Sequence, residues 1–340
     1  MKNDIFMPKV IELFAGAGGL ALGFEEAGFR HLLLNEINAD CCETLKINRP
    51  YWPVKREDIR ILKFDTFQEN VHVVTAGPPC QAFSVVGKRR VFDDDRGQLF
   101  FELTRAIKEI KPLIFVIENV KGLLYHNQGG SLEKVIDLLR FNNDYLLKHT
   151  VLKAVNYHVP QKRERLIIVG VSNNIKNEYK FPIPSDKQYT IIDAMKKGGL
   201  YDSNVSSSSG LSYSLYKREI LNKIPPGENW RFLPPELQKE YLGKKYLKGS
   251  NAQIGRRLSW NEPSLTLLTN PLSTWTDRCH PEETRPLTIR EYARIQTFPD
   301  DWQFMGSISS QYRQIGNAVP VNLAKAIAFS VKEWLNAIDN

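Results

Sequence analysis

The chain has 340 residues, 42% hydrophobic and 25% charged, with 46 Lys and Arg against 38 Asp and Glu for a net charge of +8. That composition belongs to an ordinary globular protein and excludes collagenous, coiled-coil and largely disordered classes. The longest apolar runs, such as Leu113–Ile117, are too short to span a bilayer, and Met1–Val10 lacks the apolar core of a secretory signal.

Length alone predicts roughly two domains. In the first half, short apolar runs alternate with helix-like segments, the pattern of a parallel sheet covered by helices. Strands are expected at Val10–Phe14, His31–Glu36, His72–Ala76 and Leu113–Glu118, then at Leu147–Ala154 and Arg165–Val171. Helices fit Leu20–Ala27, Asn38–Asn48, Gln98–Ile110 and Ser131–Phe141. From Pro182 onward the alternation weakens, broken by the serine run Ser206–Ser209 and by paired prolines at 225–226 and 234–235. Helices return at Ile289–Ile295 and Val321–Ala337. The simplest architecture is an α/β domain over 1–185, completed by 305–340, with a smaller irregular domain over 186–304 inserted before the C-terminal helix.

Charge concentrates in that insertion. Leu211–Trp260 holds ten Lys and Arg against four Asp and Glu, interleaved with Tyr213, Tyr216, Trp230, Phe232, Tyr241, Tyr246 and Trp260. Basic side chains attract phosphates and aromatic ones meet sugars and bases, although a solvated basic face over a small aromatic core has the same composition. Cys41 and Cys42 are adjacent, Cys80 and Cys279 stand alone, and no C-x-x-C spacing occurs. Neither a disulfide framework nor a metal site is expected, and the protein reads as reduced and cytoplasmic.

Four motifs fall at predicted strand ends. Phe14-Ala15-Gly16-Ala17-Gly18-Gly19, with Leu20 and Ala21 opening the helix, fits G-x-G-x-x-A, and Glu36 ends the next strand 20 residues after Gly16. Glycines permit a tight turn, the helix start offers N–H groups, and the carboxylate accepts from ribose, which suits NAD or another adenosine-containing cofactor. Gly77-Pro78-Pro79-Cys80-Gln81 puts a cysteine at a strand end, a position for a nucleophile, where an average lone cysteine is a small buried residue. The polar Ser84–Gly97 stretch that follows, with Lys88, Arg89 and Arg90, reads as a phosphate-contacting loop or as plain exposed surface. Glu118-Asn119-Val120 ends an apolar strand, where desolvation would let the acid give up a proton near neutrality. In Gln161-Lys162-Arg163-Glu164-Arg165, strand alternation puts Arg163 and Arg165 on one face, suited to carbonyl oxygens, phosphates or the acid.

In this order and at similar spacing, these motifs resemble those of DNA (cytosine-5) methyltransferases of the bacterial restriction–modification type. Arg285-Pro286-Leu287-Thr288-Ile289-Arg290-Glu291, Ala293-Arg294-Ile295-Gln296 and Gln314-Ile315-Gly316-Asn317-Ala318-Val319-Pro320 resemble the family's late segments. The resemblance runs from about Val10 to Ala326, apart from a variable region between Val171 and about Gly255. It implies a Rossmann-like S-adenosylmethionine-dependent methyltransferase domain and a target-recognition domain with its hinge over 186–304. Cys80 would be the nucleophile, Glu118 would hold N3 and the exocyclic amine of cytosine, Arg165 its O2, and Arg163 and Asn119 would organise the site. Phe14, Ala15, Gly16, Gly18, Gly19, Leu20, Glu36, Ile37, Asp58, Ile59, Gly77, Pro79, Leu99, Asn317, Ala318 and Val319 would line the S-adenosylmethionine pocket. DNA contacts are expected from Gln81, Ser84, Lys88, Arg89, Arg90, Lys244, Lys245, Arg256 and Arg257. The implied partners are double-stranded DNA and, functionally rather than in a complex, a cognate restriction endonuclease, with the enzyme a monomer.

Three rivals remain at this point. An NAD oxidoreductase shares the glycine loop and Glu36 but has no need of the cysteine motif. A catalytically silent DNA-binding module shares the basic insert but not the need for cysteine and acid. Methylation of RNA cytosine is the rival that the motifs exclude least firmly.

Overall fold

The computed structural model describes residues 7–67, 71–79, 95–125, 130–243, 246, 253–273 and 278–338, without the side chains of 95–97 and 142. The described residues pack as two units, one comprising Met1–Lys153, Glu164–Pro184 and Val319–Asn340, the other Ala154–Arg163 and Ser185–Ala318.

The first unit is built on a seven-stranded sheet. Its strands are β1 (Lys9–Leu13), β2 (Arg30–Glu36), β3 (Val54–Arg56), β4 (Val73–Ala76), β5 (Ile114–Val120), β6 (Tyr145–Lys153) and, after the short β7 (Gln161–Lys162), β8 (Glu164–Ser172). The order across the sheet is β3-β2-β1-β4-β5-β8-β6. β1 to β5 are parallel, and β8 runs antiparallel to both β5 and β6. This is a Rossmann-like sheet: the chain winds outward from β1 to β3, returns to β4, and leaves the topological switch point between β1 and β4. The central strands are nearly continuous runs of β-branched and apolar residues because helices cover both faces. Ile11, Leu13, Val74, Phe115, Ile117, Leu166 and Ile168 form one face of that core with Phe100, Leu103 and Ile107 of the helix Asp95–Ile110. On another side, a Cβ at Gly23 would lie 2.5 Å from Ala324 Cβ and Lys325 N, so only glycine lets the C-terminal helix Val321–Asn336 rest on the helix Gly19–Glu26.

The expected strands and helices of this unit form, with shifts of a few residues. Strand β1 stops before Phe14, whose φ of 58° breaks the extended backbone. The sequence reading had no β3, a three-residue edge strand after Pro53 with too few apolar side chains to signal itself. Among the described residues no helix is long and apolar enough to cross a membrane.

The second unit reaches beyond the 186–304 expected for the insertion. Residues 154–163 join it because Gln161 and Lys162 pair in parallel with Ser264 and Leu265. The helix Ile308–Asn317 joins it through the Ile289–Ile295 helix, with the Tyr292 and Tyr312 rings edge to face at 4.9 Å. Within the basic segment, Tyr213, Trp230 and Tyr241 turn inward and form a small core with Ile220, Leu221, Ile224 and Ile254, which answers the composition question for those three aromatics. Tyr216 and Phe232 stay 48% and 58% exposed.

One buried polar pair lies inside the first sheet. Glu12 on β1 accepts from Thr75 Oγ1 at 3.3 Å and sits 3.9 Å from His31 Nε2. Burial pushes the Glu12 carboxyl up to about 8, against the opposing hydrogen bond from Thr75, and pushes His31 down to about 4. The folded protein thus holds a proton on Glu12 that the unfolded chain releases near pH 4.5, so this contribution to stability is full at low pH and is lost as pH rises through about 8. Glu12→Gln should therefore leave urea stability near parental at pH 5 and raise it relative to parent at pH 9. Equal effects at both pH values would contradict the assignment.

Candidate functional site

The carboxyl ends of the five parallel strands lie along one edge of the first sheet, where open α/β sheets place ligands. At the end of β1 the chain turns sharply through Phe14 (φ 58°), Gly16 (φ 55°) and Gly18 (φ 84°) before the helix starts at Gly19. Phe14 is not a glycine, so its left-handed backbone stores strain that the surrounding structure must hold. It is held by Ala15 N–H donating to Asn35 O at 3.0 Å and by the ring packing on the sheet core. Ala15, Gly18, Gly19 and Leu20 are buried, whereas a Cβ at Gly16 would meet nothing within 4 Å.

Glu36, at the end of β2, closes this turn. Its Oε2 accepts from Gly16 N–H and its Oε1 from Asn38 N–H, each at 2.8 Å. Next to it Ile37 leaves 60% of its surface exposed, a large apolar side chain beside a carboxylate. Beyond β3, Ile59 is buried, while Asp58 points outward and chelates Arg60 at 2.6–3.0 Å. Arg60 holds the Asp58 carboxyl below the usual carboxylate range. Asn35 Nδ2 donates to Glu57 O at 2.8 Å and so fixes the approach to Asp58, a role that nothing in the sequence announced. Leu99 packs, half-buried, on the same core.

At the ends of β4 and β5, Ala76 pairs with Ile117, which brings Gly77 beside Glu118: a Cβ on Gly77 would lie 3.7 Å from Glu118 Oε2. Asn119 Nδ2 donates to Pro78 O at 3.1 Å, tying down the segment that leads through Pro79 to Cys80. Strand β8 places Arg165 opposite Val120, and its Nε lies 2.6 Å from Glu118 Oε1 as an ion pair whose side chains are 12% and 11% exposed. A carboxylate, a guanidinium and an amide thus converge beside Gly77-Pro78-Pro79. Cys80, Gln81, Ser84, Lys88, Arg89, Arg90, Lys244 and Lys245 lie outside the described residues.

Arg163 does not share the environment of Arg165. It is 1% exposed, and it donates to Leu267 O at 3.2 Å and to Gly316 O and Ala318 O at 3.0 Å, all within the second unit. Asn317 ends the helix Ile308–Asn317 with its side chain exposed, and Ala318 follows it, buried; Val319 is buried in the first unit. Arg257 needs correction as a DNA contact. It is 4% exposed, with Nε donating to Ile224 O, Nη2 to Leu221 O and Thr284 Oγ1, and Nη1 to His280 O. Its charge is spent on internal carbonyls, and no phosphate can reach it. Arg256 is 19% exposed and lies 3.5 Å from Glu262.

A family model described as C-5 cytosine-specific DNA methylase matches residues 8–333. The type II methyltransferase M.Eco47II of Escherichia coli is 53% identical over 342 residues, covering 100% of this chain and 82% of that protein. The type II methyltransferase M.PspPI of a Psychrobacter strain is 52% identical over 331 residues, covering 96% and 80%. Among solved structures, a DNA modification methyltransferase encoded within an E. coli prophage superposes with a TM-score of 0.75 at 26% identity, covering 97% of this chain and 99% of that one.

Arg257 supplies the test of this account of the second unit. Arg257→Ala strips several buried carbonyls of their donors and should lower stability by about 3 kcal/mol. A thermal melt showing no loss would return Arg257 to the surface and reopen its role as a phosphate contact.

Proposed function

The chain belongs to the C-5 cytosine-specific DNA methylase family and is a DNA (cytosine-5) methyltransferase of the type II class, and from that premise we propose how its residues carry the reaction. The observation that carries the proposal is the Glu118–Arg165 ion pair beside the Gly77-Pro78-Pro79 segment that leads to Cys80. Cytosine C5 is a poor nucleophile because attack by it costs ring aromaticity. Addition of the Cys80 thiolate to C6 relieves this by giving C5 enamine character. Glu118 holds N3 and the exocyclic amine and supplies a proton as charge develops on the ring. Arg165 holds O2, and its pairing with Glu118 fixes both groups before the base arrives. Asn119 acts through Pro78, keeping the cysteine segment in register with the acid. Loss of the C5 proton then expels Cys80 and restores the aromatic ring.

The β1–β3 edge fits S-adenosylmethionine. Glu36 and Asp58 offer carboxylates at and just beyond the ends of neighbouring strands, with the exposed Ile37 following Glu36 and open space over Gly16. Glu36 suits the ribose hydroxyls, Asp58 the adenine amino group, and Phe14 with Ile37 the apolar faces of the ring. The bound cofactor supplies an electrophilic methyl group. Val319 and Leu99, in the same unit, extend the pocket.

The target carbon is inside a stacked duplex, so the enzyme extrudes its cytosine, the general solution for enzymes that act on a base, methyltransferases among them. The second unit, with the exposed Tyr216 and Phe232, reads the sequence of the DNA. Methylation then protects the host DNA from a cognate restriction endonuclease, in a cytoplasmic, monomeric enzyme.

Transfer of tritiated methyl from S-adenosylmethionine should be seen with duplex DNA and not with tRNA or without nucleic acid. Preferential labelling of tRNA would move the substrate class to RNA. Glu36→Ala should weaken cofactor binding by about 1–3 kcal/mol, the cost of poorly paired hydroxyls and a freed Gly16 turn. Calorimetry showing unaltered affinity would remove Glu36 from the pocket.

A further inference from the structure

The turn Asp58–Leu62, which follows β3, is anchored by two buried side chains, Ile59 and Leu62, in the core of the first unit. Arg60 and Ile61 between them are exposed. Short backbone bonds close the turn: Ile61 N–H donates to Asp58 O at 3.1 Å and Leu62 N–H to Ile59 O at 3.3 Å. Apolar packing holds such a turn down without fixing the direction of its peptide planes, because it is non-directional. Direction comes from the helix Asp95–Ile110. Arg105 Nη2 donates to Ile59 O at 2.8 Å and to Leu62 O at 3.1 Å, across 46 and 43 residues of chain. The other two nitrogens aim this fork. Nε donates to Glu102 Oε2 at 2.6 Å and Nη1 to both oxygens of Glu109 at 3.1 Å, while the guanidinium carbon lies 5.5 Å from the centroid of the buried Phe64 ring. Pairs of this kind along one half-exposed helix face add little stability. Their consequence here is orientation, since a planar guanidinium held at all three nitrogens cannot turn without unpairing an acid or a carbonyl.

We propose that Arg105 is a positioning residue for cofactor recognition, clamping the Ile59 and Leu62 carbonyls so that Asp58 is presented to the adenine amino group in one orientation. This rests on the assignment of Asp58 and Ile59 to the S-adenosylmethionine pocket. Asn35 fixes the chain entering the turn by donating to Glu57 O at 2.8 Å, and Arg105 fixes the chain leaving it. Asp58 therefore stands between two side-chain clamps on backbone carbonyls. Arg60 cannot replace either one. It chelates the Asp58 carboxylate from two residues away and moves with the turn, whereas Arg105 belongs to the helix that also carries Leu99.

The test compares the full chain with Arg105→Met, Arg105→Lys, Asp58→Ala, the Arg105→Met Asp58→Ala double variant and, as a structural comparator, Tyr145→Phe. Tyr145→Phe removes the buried bond from Tyr145 Oη to Pro112 O at 2.8 Å in the same unit without touching the turn. The readouts are the Kd for S-adenosylmethionine, the Kd for S-inosylmethionine, which carries an oxygen in place of the adenine amino group, the Kd for duplex DNA, and cofactor KM against kcat. Arg105→Met should raise the S-adenosylmethionine Kd and KM about tenfold, with kcat at saturating cofactor and the DNA Kd each within about twofold of parent. Its preference for adenine over hypoxanthine should shrink toward that of Asp58→Ala. Arg105→Lys keeps a charge beside Glu102 and Glu109 but lacks the planar fork, and should lose about fivefold or more. The double variant should be little worse than Asp58→Ala, because Arg105 acts through Asp58. Tyr145→Phe should leave both cofactor Kd values unchanged. Parental affinity in Arg105→Met or Arg105→Lys, with Asp58→Ala weakened, overturns the clamp. An unchanged adenine preference, fully additive losses in the double variant, or an equal loss in Tyr145→Phe overturns it too. Parental affinity in Asp58→Ala instead overturns the pocket assignment beneath it. Should Arg105→Met fail to fold, Arg105→Lys decides, with a parental preference for adenine counting against the proposal.

Discussion

The site depends first on the antiparallel pairing of β8 with β5. Had the sheet ended at β5, Glu118 would be a strand-end carboxylate facing apolar neighbours with no fixed counter-charge. Because β8 returns in the opposite direction, Arg165 stands opposite Val120 and its guanidinium meets Glu118 at 2.6 Å. Both side chains are nearly buried, which makes the pair expensive to desolvate and costly to break from one side. Its value lies in geometry: the acid and the guanidinium are held at fixed separation by a strand register that cannot slip without moving every β8 side chain to the opposite face. Asn119 extends the same constraint one strand over by holding Pro78.

On the other side of the switch point the constraint is carried by backbone. Phe14 accepts a left-handed conformation, and Glu36 gives an oxygen each to Gly16 and Asn38. A carboxylate with both oxygens anchored on N–H groups is preorganised, yet it retains lone pairs for further donors. The Gly16–Glu36 turn and the acid–guanidinium pair are thus set by different means on either side of β4 in one sheet.

What the sequence makes legible follows from how local the governing interaction is. Gly16 and Glu36 are joined by a helix and a strand of ordinary length, so their spacing alone announces their meeting. Glu118 and Asn119 are readable because an apolar strand points to them. Arg257 misleads, because a basic residue among basic and aromatic neighbours looks like a phosphate contact, and only packing shows its donors turned onto Leu221, Ile224 and His280. Tyr213, Trp230 and Tyr241 mislead in the same way, since a small unit without long helices must draw its core from aromatics. The Gln161–Gln296 bond spans 135 residues and has no periodicity that could signal it. Arg163 and Arg165 share a motif and a strand face in the sequence, but one serves carbonyls of the second unit and the other an acid of the first.

The central claim is that Cys80 adds to C6 of a cytosine held by Glu118 and Arg165, and trapping the adduct tests it most directly. Ordinary cytosine loses a proton from C5, and β-elimination then breaks the sulfur–C6 bond. Fluorine at C5 is small enough to enter the site but cannot leave as a cation, so the bond persists. A duplex carrying 5-fluorocytosine at the target position should give a methylated protein–DNA adduct that requires S-adenosylmethionine, survives denaturation and maps by peptide analysis to Cys80. Cys80→Ser should abolish it, while substitution of Cys41, Cys42 or Cys279, all buried, should not prevent it in folded protein. A crosslink at another residue, or no adduct on a duplex whose unmodified form is methylated, would contradict the account.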